Sequence, residues 1–170
     1  MEIICGWHIA NSILEKSFEE ENYITQFKLN YLVYLLCSEY LYLWYEGPIN
    51  ERFQKTETGP ILPSIYAKFG SCKNKIITNY AKDASGKARG LNGELFNDCL
   101  IRVWENYKNI SDIKILSYIE SGNGYARREI GDALTESDML IDIISRKEEE
   151  LENAKSYLKK LTPQKNQGNK

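Results

Sequence analysis

The sequence predicts a mainly α fold, a compact helical domain around a central apolar helix, with a small β-hairpin-like element and a long C-terminal helix. Three observations carry that expectation. Apolar residues recur at three- and four-residue intervals through most of the chain. The most apolar run, residues 24–45, steps at the same helical intervals. Gly47-Pro48 and Gly59-Pro60 bracket a polar stretch that has no helical stripe. The 170 residues suit one ordinary domain. We expect residues 1–134 to form its helical body, residues 135–161 an amphipathic helix packed on it, and residues 162–170 a mobile tail.

Trp7, Ala10, Leu14 and Phe18 lie on one stripe of a first helix, which the acidic run Glu19-Glu20-Glu21 ends, because negative charge is unfavourable at a helix C-terminus. In the second helix Leu29, Leu32, Val33, Leu36, Tyr40, Leu43 and Trp44 share the helical interval, while Leu35, Tyr42 and Tyr45 cover other faces. A membrane span would need about 20 apolar residues. Lys28, Asn30, Ser38 and Glu39 interrupt the run and no basic cluster flanks it, so it reads as a buried central helix. Gly47-Pro48 is expected to close it.

Residues 49–58 read as an extended segment or hairpin arm. Pro63 suits the first turn of a short helix whose apolar side is Ile65, Tyr66 and Phe69, and Gly70 stops it. Ile76, Ile77 and Tyr80 suggest a helical turn, and residues 83–90 an exposed loop. Asn92 can cap a helix carrying Phe96, Leu100, Val103 and Tyr107 on one face; Ser111 can cap another with Ile115, Leu116 and Ile119 inward. The last helix, from about Thr135 to Leu161, has a seam of Leu140, Ile144, Leu151, Ala154, Leu158 and Leu161, broken by Lys147.

Composition narrows the function classes. Lys plus Arg is 22 and Asp plus Glu is 24, a net charge of −2, so no general attraction to nucleic acid or an anionic membrane is expected. The single histidine, His8, excludes mechanisms that need two imidazoles. Cys5, Cys37, Cys72 and Cys99 never fall at the short spacings that bring paired ligands to one zinc ion. The N-terminus lacks the basic start and cleavage site of a signal peptide, so reduced thiols and a cytoplasmic chain are expected. Neither Gly86-Lys87-Ala88-Arg89-Gly90 nor Gly122-Asn123-Gly124 has the spacing or context of a phosphate-binding loop. No catalytic set, cofactor or metal is expected. Tyr125, Arg127 and Arg128 combine stacking with guanidinium chemistry, which suits a phosphate or protein carboxylate and equally a surface ion-pair network. The exposed side of the last helix, with Leu151, Tyr157 and Leu158, can lie in a partner's groove.

The run Phe27-Lys28-Leu29-Asn30-Tyr31-Leu32-Val33-Tyr34 is similar to the K-L-x-K-L-x-Y helix of the Panacea domain of SocA-like and phage-associated GepA-like proteins, with Lys28, Leu29, Leu32 and Tyr34 in register. In that family the helix leads to an A-W-x-x-G-P-V-x-P-x-x-Y signature. Here Gly59, Pro60, Pro63 and Tyr66 match it, with Ile61 for valine and Lys55-Thr56 in place of Ala-Trp; Tyr31 stands where the helix has its second lysine. The family's threonine–histidine pair has no counterpart near residues 116–120, and Tyr125 with Ala126-Arg127 stands near its following tryptophan. The resemblance runs in order of elements over residues 7–130.

The resemblance implies a mainly helical domain and a role as the antitoxin of a toxin–antitoxin pair, a prophage-associated inhibitor that neutralises a protein toxin directly or presents it to a protease. It implies a protein partner; the charge balance and the interrupted apolar run already argue against a membrane, and against nucleic acid except through that partner. Two other readings stand beside it. One is a phage or mobile-element inhibitor of a host nuclease or defence complex. The other is an enzyme of unknown class built around His8 or Arg127-Arg128.

Overall fold

The computed structural model describes residues 4–162 and has the expected mainly α architecture. In chain order it comprises α1 (Gly6–Glu19), α2 (Gln26–Trp44), β1 (Phe53–Thr56), β2 (Gly59–Ile61), α3 (Pro63–Phe69) and a 3-10 turn (Gly70–Cys72). There follow α4 (Glu94–Tyr107), α5 (Asp112–Glu120), α6 (Asn123–Ala126), β3 (Ala133–Leu134) and α7 (Glu136–Leu161). Of the expected tail, residues 163–170 lie outside the described residues, and Thr162 caps α7.

The central helix is α2, against which α1, α4, α5, α7 and β2 pack. Residues 28–39 are buried without a break, so no face of this helix reaches solvent along those three turns. Burial on all sides is why its sequence is apolar nearly all round. Its N-terminus is fixed by Thr25, whose hydroxyl accepts from the Lys28 N–H at 3.1 Å and donates to Asp112 Oδ2 at 2.5 Å. The helix ends before Gly47-Pro48, because Tyr45 takes the left-handed conformation (φ 57°) and its N–H returns to the Leu41 carbonyl.

Three polar residues of α2 bond to other elements' backbones. Lys28 is buried, and its ammonium donates to the Lys108 and Ile110 carbonyls at 2.8 and 2.7 Å, where α4 ends. Asn30 Oδ1 accepts from the Leu62 N–H at 3.1 Å, at the start of α3. Tyr31 donates to the Thr58 carbonyl at 2.5 Å, in the hairpin turn. Leu29, Leu32 and Tyr34 belong to the core.

The expected hairpin arm is a true hairpin. β1 pairs with β2 in the register Gln54↔Ile61, Lys55↔Pro60 and Thr56↔Gly59, and β3 adds antiparallel to its other edge. Gly59 (φ +103°) passes so close to Tyr31 and Leu116 that a Cβ there would lie 2.7 Å from each. Pro60 sits on an edge strand, where its missing N–H costs no ladder bond. Pro63 opens α3 as expected, with Ile65 and Phe69 buried. Tyr66 is instead 58% exposed, because this seven-residue helix covers only one narrow strip of core. One carboxylate caps two helices: Glu51 accepts from the Gly6 N–H at 2.8 Å and the Ser64 N–H at 3.3 Å.

No helix forms at Ile76, Ile77 and Tyr80. The backbone of this segment finds its partners elsewhere. Ile77 N–H reaches the Ile24 carbonyl, and Asn11 on α1 brackets Ala81, accepting from its N–H and donating to its carbonyl at 2.8 and 2.9 Å. Asn11 also donates to Arg89, and Ser12 exchanges bonds with both backbone groups of Leu91. The cap of α4 is Gly93 (φ +146°) and not Asn92, whereas Ser111 caps α5. Within α5, Ile115 and Ile119 are fully buried and Leu116 only partly so.

Thr135 and Asp138 form a capping box at the start of α7. The face of α7 that packs is Asp138, Met139, Asp142 and Ile143, not the expected leucine seam. Ile144 is 40% exposed, and every described residue beyond Lys147 is exposed. The body ends there, so only the first half of the helix packs on it. Asp142 and Asp138 take buried positions because each is consumed by hydrogen bonds around α6, a signal that apolar periodicity does not register.

Candidate partner-binding surface

The Arg127-Arg128 pair is built on α6, a single turn whose Gly124 and Tyr125 N–H groups donate to Asp142 at 2.6 and 3.0 Å. The chain then turns both guanidinium groups onto Asp138: Arg127 Nε lies 2.6 Å from Oδ1 and Arg128 Nε 2.9 Å from Oδ2. Thr135 adds its N–H and hydroxyl to Oδ2. Burial pushes the Asp138 carboxyl upward, but hydrogen bonds from Thr135, Arg128 and Arg127 outweigh it and hold it at about 2. Both arginines are thus engaged in an internal clamp that ties α6 to α7, the ion-pair alternative of the two the sequence left open.

Tyr125, which the sequence suggests for a binding face, is instead only 1% exposed. Its ring lies under the Lys55 ammonium at 4.5 Å and meets the Tyr34 ring edge-on at 6.3 Å. The two buried phenol oxygens, of Tyr34 and Tyr125, have no hydrogen-bond partner. Burial therefore drives both phenols well above the usual tyrosine range.

His8 is buried, stacked on Trp7 at 3.8 Å, and its Nδ1 accepts from the Cys5 N–H at 3.0 Å. It serves the start of α1. Burial raises the thiols of Cys37, Cys99 and Cys5 above their ordinary value, which disfavours the thiolate. Among the described residues no three His, Cys, Asp or Glu side chains are grouped as metal ligands. A cavity of about 630 Å³ opens between residues 47–53 and the first turn of α7, with Cys37, Leu41, Phe53, Leu134 and Met139 at its walls and Arg52 and Glu136 beside them.

Large apolar groups reach solvent where α2 ends. Trp44 is 42% exposed and Tyr45 85%, and the Tyr40 ring lies 6.4 Å from that of Trp44. Tyr40 also forms one wall of a shallow hollow of about 330 Å³, lined further by Ile4, Pro48, Leu91, Leu95 and Phe96 together with the polar Asn92 and Glu94. Ile4 and Leu95 on its rim are themselves exposed. Tryptophan and tyrosine bodies beside an apolar hollow are the arrangement that receives a partner's side chains in protein interfaces. The helical stripe placed Trp44 with the core residues and so missed it. The available signal was Gly47-Pro48, which marks the helix end where a last turn can overhang its support. On α7, Leu151, Tyr157 and Leu158 are exposed, as a binding role requires.

Comparison of the chain with protein-family models, with curated proteins and with solved structures returns no match. Among the described residues no helix is long and apolar enough to cross a membrane.

Proposed function

We propose that this chain is a non-enzymatic protein-binding inhibitor, working as an antitoxin of the Panacea type that neutralises a protein toxin by direct complex formation. The observation that carries this reading is the exposed Trp44–Tyr45 pair at the end of α2, next to Tyr40, which walls a largely apolar hollow. These two side chains have the composition and exposure of interface anchors, and their burial under a partner would remove a large apolar area from water. The residues that could have served chemistry are otherwise engaged: Arg127 and Arg128 hold Asp138, and His8 stacks on Trp7 at the start of α1. The resemblance in α2 and in the turn at Gly59-Pro60 supplies the choice of antitoxin among protein-binding inhibitors.

The test is co-expression with the product of the adjacent reading frame. The neighbour should arrest growth alone and be tolerated with this chain. The double variant Trp44→Ser, Tyr45→Ser should fold with unchanged helicity yet lose protection and co-purification. A neighbour harmless by itself, or one whose toxicity this chain leaves undiminished, overturns the reading.

A further inference from the structure

Beyond Lys147, α7 continues for 14 residues, about 21 Å, every one of them exposed. A helical segment of that length is marginal in water by itself. Its apolar residues nevertheless keep a heptad order. Ile144, Leu151 and Leu158 repeat every seven residues, and Ala154 and Leu161 fall three places after the last two. Leu151, Leu158 and Leu161 are 54, 61 and 59% exposed. The stripe is therefore a coiled-coil seam without its second strand.

The charges say what that strand is. Glu148, Glu149, Glu150 and Glu152 precede Lys155, Lys159 and Lys160, so the segment is acidic in its first half and basic in its second. A second copy laid parallel would set acid on acid and base on base. Turned end for end, each acidic half meets a basic half. A twofold axis between Glu152 and Asn153 sets Leu151 against Ala154, Ile144 against Leu161, and Glu150 level with Lys155 of the second copy. Every contact then occurs twice, as a self-complementary interface requires. We infer that the projecting half of α7 pairs antiparallel with the same segment of a second copy of this chain. The paired segment is short and its charges are exposed, so the dimer is a reversible one. The Trp44–Tyr45 overhang lies on a different element and takes no part in it.

Sedimentation equilibrium of the full chain tests this. The wild type should pass from monomer to dimer over tens of micromolar at about 50 mM salt and dissociate at least about tenfold more readily at about 0.5 M. Replacing Leu151 and Leu158 with Asp should give a monomer with unchanged thermal unfolding of the body. The block variants E148K/E149K/E150K and K155E/K159E/K160E should each be monomeric alone and form a heterodimer when mixed. A parallel dimer would survive either block exchange, since like charge faces like charge before and after it. Dimers that persist in a block variant or in the leucine variant overturn the inference. So does a wild type that stays monomeric to about 1 mM, whether or not another protein binds α7.

Discussion

The Lys55 ammonium stands 4.5 Å above the Tyr125 ring and donates at 3.1 Å to the carbonyl oxygen of the same residue. It donates also to the Arg128 carbonyl at 2.7 Å, so one cation from β1 closes the C-terminal end of α6 and holds its aromatic residue against the core. Lys28 does the same for the end of α4, and Arg146 for α5, donating to the Tyr118 carbonyl with its guanidinium over the Tyr118 ring. Carboxylates serve the opposite ends, Glu51 at α1 and α3 and Asp142 at α6. Helix ends in this fold are thus held in place by charges matched to their dipoles.

Lys55→Met keeps the stem and removes the ammonium. It should lower stability by about 2 kcal/mol, the sum of two hydrogen bonds to helix-end carbonyls and a cation–π contact. Urea unfolding measures it, with Lys16→Met as the control. Lys16 makes a surface pair with Glu19 at 3.0 Å, and its loss should cost less than about 0.5 kcal/mol.

Asp138 sets an acid limit. Its folded-state value of about 2 lies below the ordinary 3.8, so the unfolded chain takes up this proton more readily. The resulting stabilisation, about 2 kcal/mol, is complete above pH 4 and is lost as the pH falls towards 2. Asp138→Asn should remove that part of the acid dependence. At pH 7 it should cost about 3 kcal/mol by leaving Arg127 and Arg128 without their counter-charge. Chemical denaturation across pH 2–7 reads both effects.

Buried phenols set the alkaline limit. Burial pushes Tyr31 up to about 12 and Tyr34, Tyr107 and Tyr125 further still. Above pH 10 the unfolded chain loses these protons while the folded chain keeps them, so stability falls as pH rises. The slope should approach about 5 kcal/mol per pH unit if all four contribute. Lys28, lowered by its burial, opposes this with a single proton. A pH-jump monitored by tyrosinate absorbance should show ionisation coinciding with loss of helicity.

Gly124 marks the closest approach of α6 to α7. A Cβ there would sit 2.1 Å from the Asp138 backbone oxygen, and a helix backbone cannot give way as a side chain can. Gly124→Ala should cost at least about 3 kcal/mol. Gly86→Ala, in open space but at φ +82°, should cost only about 1 kcal/mol. Thermal unfolding of the two variants separates crowding from backbone strain.

Neighbours within a few residues determined the mainly α class, the buried central helix, the cap at Ser111 and the turn chemistry at Gly59-Pro60 and Pro63, through apolar spacing in the first two and through local side-chain and backbone chemistry in the rest. They could not determine the order of residues 73–93, whose backbone partners on α1, Asn11 and Ser12, are some seventy residues away in sequence. Nor could they tell that Tyr125 lies inside, that Arg127 and Arg128 close on Asp138, or that Trp44 overhangs the body. Whether a helical residue meets protein or water depends on where the other helices stop, and that is decided only when the elements pack. For the same reason the stripe of α7 was legible, but its division into a docked half and a projecting half was not.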